Sequence, residues 1–157
     1  MDPNSFLPLA RALAQLNVEY VLVGGLALGF QGLVRATGDI DLFVRPTEEN
    51  VDRLRAALRL VYHDDSIDEI VTDDLAGDYA VVRYGPPDDD YVVDIIGHIG
   101  EIWHYDDLES EVLEIEGVRL NVASRRTLYR MKNDTLRPKD QMDATTLRQQ
   151  YGLEEGD

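Results

Sequence analysis

The sequence predicts one α/β domain, a mixed β-sheet with helices packed on it. Three observations carry that expectation. Short β-branched runs alternate with helically spaced apolar segments through the first third of the chain. Two further pairs of such runs are each joined by a turn-forming connector. The chain then closes on two helical segments. At 157 residues it has the length of one domain, and with 44% hydrophobic and 29% charged residues it is globular in composition.

The elements follow in order. Leu7, Leu9, Ala10, Leu13 and Leu16 recur at helical spacing and predict a helix from about Ser5 to Leu16, capped by Asn4 or Ser5, with Pro8 in its first turn. Glu19 to Val23 is a short apolar run ending at Gly24-Gly25, a buried strand feeding a tight turn. Leu26 to Leu33 reads as a short helix weakened by Gly29 and Gly32, and Asp39 to Val44 as a second strand. Thr47 caps a helix reaching about Val61, with Glu48 and Glu49 in its first turn. Tyr62 to Gly77 is acidic and gives no clear pattern. Tyr79 to Tyr84 and Tyr91 to Ile96 form a hairpin across a Gly-Pro-Pro-Asp connector, and Val112 to Ile115 pairs with Val118 to Val122 around Glu116-Gly117. Ser124 caps a helix through Lys132, and Pro138 opens a last helix ending near Tyr151-Gly152. The domain is expected over residues 1–152, with 153–157 as an acidic tail.

Composition excludes some classes. The chain has no cysteine, hence no disulfide and no thiolate metal site. No run of about 18 apolar residues exists to span a membrane, and the acidic, amphipathic N-terminal stretch is not a signal peptide, so a cytoplasmic location is expected. The net charge of −16 repels phosphate polymers as a whole, so nucleic-acid binding needs a local basic patch or strong screening. Aspartates number 20, arginines 13 and lysines only two, Lys132 and Lys139. A salt-adapted host would have this balance; a GC-rich genome would also replace lysine with arginine.

The chemistry rests on Gly24-Gly25 at the end of one strand and Asp39-x-Asp41 in the next. Residues two apart on a strand share a face, so the two carboxylates converge. Like charges that close repel, and a divalent cation relieves the repulsion. Magnesium takes oxygen ligands, and two ions a few ångströms apart neutralise a triphosphate during phosphoryl or nucleotidyl transfer. The glycine turn bars nothing from the triphosphate, and the helix after it offers free N–H groups. Asp94 is the candidate third carboxylate, the sole charge in a run of Val, Ile and Tyr, where it is costly unless paired or metal-bound. It is also a candidate base for an acceptor hydroxyl. The bland alternative puts it on the exposed face of an edge strand. Arg35 and Thr37 precede the acid pair and are candidates for phosphate and metal-bound water. His63, His98 and His104 form no ligand-spaced cluster.

The run Val23 to Leu28, followed by Arg35 to Leu42, resembles the DNA-polymerase-beta nucleotidyltransferase superfamily, with its glycine turn, D-x-D pair and later third acid. Val118 to Val122, Leu128 to Lys132 and Arg137 to Asp143 narrow the resemblance to AbiEii-type bacterial nucleotidyltransferases. It covers Tyr20 to Leu147. It implies the nucleotidyltransferase fold; Asp39, Asp41 and Asp94 as ligands of two Mg²⁺ or Mn²⁺ ions; Gly24 and Gly25 as the triphosphate turn; and Lys132 as a triphosphate contact, with Asp140 or Asp143 orienting it or the nucleotide. Gly25 departs from the serine of many members, so a hydroxyl contact to phosphate is lost. The implied reaction moves a nucleoside monophosphate from an NTP, such as ATP, to an acceptor hydroxyl. For an RNA or protein acceptor the resemblance implies a toxin with an antitoxin partner; the acidic surface suits a cationic small molecule. A second subunit could complete the acceptor site. The remaining alternative is an inactive member that binds nucleotide or a partner.

Overall fold

The computed structural model describes residues 1–33, 37–78, 80–133 and 138–152, without the side chains of 138–140. A six-stranded mixed sheet organises it, with the strands Val81–Tyr84, Val92–Ile96, Asp39–Val44, Tyr20–Val23, Val118–Ala123 and Ser110–Ile115 in that order across it. A short 3-10 turn, Pro3–Phe6, capped by the Asp2 carboxylate that accepts the Asn4 N–H, leads into α1 (Leu7–Gln15), which has no side-chain cap where Asn4 or Ser5 was expected to provide one. Strand β1 (Tyr20–Val23) is buried along its whole length. Helix α2 (Gly24–Phe30) starts directly at the glycine pair, two residues before the expected Leu26. Gly24 makes this possible: at φ +74° it turns the chain out of the strand in one residue.

Strand β2 (Asp39–Val44) has the expected limits. Ile40, Leu42 and Val44 are fully buried, while Asp39 and Asp41 keep part of their surface in solvent. The D-x-D pair thus sits on a strand whose other face is core. Helix α3 (Glu48–Tyr62) is capped by the Thr47 hydroxyl, which accepts the Asn50 N–H, and buries Val51, Leu54 and Leu58. The unpatterned stretch after it folds into a 3-10 turn, Asp65–Glu69, and a short helix α4 (Thr72–Ala76). Ile67, Ile70 and Leu75 anchor it in the core between acids that stay outside.

Strands β3 (Val81–Tyr84) and β4 (Val92–Ile96) form the expected antiparallel hairpin. A small second hairpin, β5 (His98–Ile99) with β6 (Trp103–His104), was not foreseen. Strands β7 (Ser110–Ile115) and β8 (Val118–Ala123) pair antiparallel. Helix α5 (Arg125–Asn133) follows the Ser124 cap, whose hydroxyl accepts the Thr127 N–H at 3.1 Å, and α6 (Pro138–Tyr151) packs against it.

Strand order decides what the site contains. Strand β4 lies parallel to β2, and β2 antiparallel to β1. The first hairpin is thereby placed beside the D-x-D strand, and Asp94 on an inner strand rather than an exposed edge. Strand β8 adds parallel to the other side of β1, which brings α5 and α6 back over α2. There the Gln31 carbonyl accepts the Tyr151 hydroxyl at 2.6 Å and Arg125 Nε at 3.3 Å, and the Arg125 guanidinium stacks on the Tyr151 ring 4.0 Å from its centroid. Residues 153–157, the expected tail, lie outside the described residues.

Candidate active site

The site is a row across the sheet. Val23 on β1, Asp41 on β2, Asp94 on β4 and Arg83 on β3 stand in register, one residue per strand. Residues paired across neighbouring strands project to one face, and Asp39 joins them two residues along β2. Asp94 is buried at 8% exposure, which removes the reading of a charge on a solvated edge. Its cost is met by Arg83, whose Nε lies 2.9 Å from Oδ1 and Nη2 3.2 Å from Oδ2. Asp94 in turn holds the Arg83 guanidinium more firmly protonated than usual.

Asp41 is the strained member. Burial, then the charges of Asp94 and Asp39, push its carboxyl up to about 7, against the opposing pull of Lys132 and Arg83. Its carboxylate also fills the space at the glycine turn. A Cβ on Gly24 would meet Asp41 Oδ2 at 2.1 Å, so Gly24 is needed both for its positive φ and for this close approach. No side chain caps the α2 N-terminus beside it.

Lys132, on α5, acts on Asp41 through its charge. Its Nζ lies 3.4 Å from Asp143 Oδ2 on α6, and both side chains are largely buried. Of the two acids expected to orient Lys132 or the nucleotide, Asp143 forms an ion pair with Lys132. Thr37 is turned otherwise: its hydroxyl is 3.3 Å from both the N–H and the carbonyl of Asp39, bracing the strand start. Gly25 lies in the first turn of α2. Arg35 falls outside the described residues, and Asp140 lies in the first turn of α6 with its side chain outside them. His98 binds the Gly77 and Gly100 carbonyls and stacks on His104, a structural role. Trp103 lies under Arg130 and Tyr105 under Arg45.

Arg83 is the residue that sequence reading missed. A signal existed: once Tyr79 to Tyr84 and Tyr91 to Ile96 are a hairpin, aligning them sets a lone arginine opposite the lone acid.

The acids fit a divalent cation by their donor chemistry, three hard carboxylates whose mutual repulsion an ion would relieve. Among the described residues, though, no three acidic or histidine side chains are grouped to hold an ion as they stand. Both oxygens of Asp94 face Arg83 instead.

The family model described as nucleotidyl transferase AbiEii toxin, type IV toxin–antitoxin system, matches residues 9–152. The chain belongs to the AbiEii nucleotidyltransferase family. No curated protein matches it. Solved structures that share the fold of this AbiEii-family chain include the following. An antigenic nucleotidyltransferase-like protein from Paracoccidioides brasiliensis is 16% identical with a TM-score of 0.58, over 95% of this chain and 76% of that one. ANT(2")-Ia, in complex with adenylyl-2"-tobramycin, is 14% identical with a TM-score of 0.56, over 96% and 89%. Among the described residues of the AbiEii-family chain, no helix is long and apolar enough to cross a membrane.

Proposed function

We propose that this chain moves a nucleoside monophosphate from an NTP to an acceptor hydroxyl, and that Asp39, Asp41 and Asp94 hold two divalent cations for the reaction. The observation that supports it most is the in-register row of Asp41 and Asp94, with Asp39 on the same face, closed against Gly24. Bound Mg²⁺ or Mn²⁺ would neutralise the triphosphate oxygens and the leaving pyrophosphate. The glycine turn, with Gly24 and Gly25, takes the triphosphate, and Lys132, steadied by Asp143, supplies a fixed positive charge to it. Arg35 and Asp140 are proposed as nucleotide contacts from the family resemblance, while Thr37 braces the start of the D-x-D strand. The acceptor oxygen attacks the α-phosphorus, the bond from that phosphorus to the bridging oxygen breaks, and pyrophosphate leaves. Asp94 takes the acceptor hydroxyl's proton.

The acceptor is anionic in this reading. In a chain of net charge −16, the short helix α5 exposes Arg125, Arg126 and Arg130. That is the local basic patch an RNA strand needs on an acidic protein. The family's description as the toxin of a toxin–antitoxin system supports an antitoxin as the protein partner, and the proposed location is the cytoplasm.

Calorimetric titration with each NTP in magnesium, beside an Asp39→Ala/Asp41→Ala double mutant, tests the proposal. Magnesium-dependent binding that the double mutant loses is the expected result. A wild-type chain that binds no NTP, even in molar salt, would make it an interaction module on a nucleotidyltransferase fold.

A further inference from the structure

Arg83 and Asp94 pair across the β3·β4 hairpin, and Asp94 pairs with Asp41 across β2·β4. The guanidinium therefore ends the row of acids. Its fork covers both oxygens of Asp94, at 2.9 and 3.2 Å. The two partners differ in freedom: the Asp94 side chain is 12% exposed and the Arg83 side chain 66%. The acid is fixed within the sheet, and the cation is the partner that can swing away. Arg83 also acts at longer range, since its charge is coupled to Asp39 and Asp41.

We propose that Arg83 is a cationic lock on Asp94, standing in for a divalent ion in the nucleotide-free protein and yielding when an ion arrives with a triphosphate. The inference rests on the two-cation reading and adds an order of loading to it. A guanidinium and a metal ion compete for the same carboxylate oxygens and repel each other. The triphosphate brings further oxygens and negative charge, which tip that competition toward the ion. Arg83 is thus a positioning residue, holding Asp94 idle until substrate is present. The rival account is an ordinary cross-strand ion pair tying an edge strand to its neighbour. The two accounts differ in sign. If the pair is only structural, removing Arg83 leaves ion affinity unchanged or weakens it; if it is a lock, removal strengthens it.

The test is Mn²⁺ binding without nucleotide, followed by the electron paramagnetic resonance of the free ion, with melting curves to show that each variant is folded. Arg83→Gln is expected to bind Mn²⁺ about tenfold more tightly than wild type, the order for one charge a few ångströms away at a half-exposed site. Arg83→Lys, with the charge but not the fork, falls between them. Arg83→Gln/Asp94→Asn loses the gain. With NTP present, wild type and Arg83→Gln converge. Mn²⁺ affinity in Arg83→Gln equal to or weaker than wild type overturns the lock and leaves the two-cation reading standing. If neither protein binds Mn²⁺ with or without NTP, both fall.

Discussion

Asp41 carries the clearest consequence at the scale of one residue. Its carboxyl, pushed up from 3.8 to about 7 by burial first and by Asp94 and Asp39 next, binds a proton more tightly in the folded chain than in the unfolded one. The stability that proton contributes is complete below about pH 4 and is lost as pH rises through 7. With a chelator present, melting temperature should therefore fall from pH 5 to pH 8 more steeply in wild type than in Asp41→Asn, whose amide stays neutral throughout. Parallel slopes for the two proteins would show that Asp41 ionises normally. Gly24 is what lets that carboxyl sit there. The carboxylate that pays for its crowded position does so against a backbone with no Cβ, so turn and acid are one feature.

Elements are held in register by a few buried polar groups. Asn50, at 1% exposure on α3, accepts the Glu19 N–H at 2.7 Å and donates to the Glu19 and Arg45 carbonyls, each at 2.9 Å. One side chain thereby ties the start of β1 and the end of β2 to a helix. Both strands carry the site at their opposite ends. Replacing Asn50 with alanine strands buried backbone groups and is expected to cost roughly 2–3 kcal/mol in urea denaturation. Affinity for NTP at saturating magnesium should change little while the protein stays folded, because the clamp lies away from the acids. A variant as stable as wild type would mean that water replaces the amide fully. Gln31 plays the matching part at the other side. Its amide donates to Glu111 and to the Ala123 carbonyl, and its own carbonyl receives α5 and α6. That knot holds α5 and α6, which carry the Lys132–Asp143 pair, against the end of α2.

For the whole molecule the governing quantity is a net charge of −16 on 157 residues. Like charges spread over one small surface oppose the compact state, and salt screens them as the Debye length shortens from about 10 Å at 0.1 M to about 3 Å at 1 M. Melting temperature is expected to rise with sodium chloride across that range. A flat or falling profile would mean that ion pairs such as Arg45 with Glu19 and Asp106 outweigh the repulsion. Acceptor binding should respond in the opposite direction, weakening with salt if the exposed arginines of α5 meet phosphate.

Local chemistry made much of this legible in the residues alone. The limits of β2, the Thr47 and Ser124 caps, both long hairpins and the last helix depend on neighbours within a few positions, where side-chain period and capping groups leave direct marks. The alternation of Asp39 and Asp41 with Ile40 and Leu42 is of that kind, and it put the acids on one face before any fold was known. The start of α2 at Gly24 was not legible, because nothing local says that a strand will turn into a helix without a spacer. Nor was the segment after α3, whose three core anchors are scattered among acids. Strand order lay beyond reach for a different reason. It is settled by which faces must be covered and by how the crossovers run, and no short window contains either. Only the assembled sheet could set Asp94 beside Asp41, put Arg83 on the far side of that acid, and bring the charge of Lys132 to bear on Asp41 from a helix near the end of the chain.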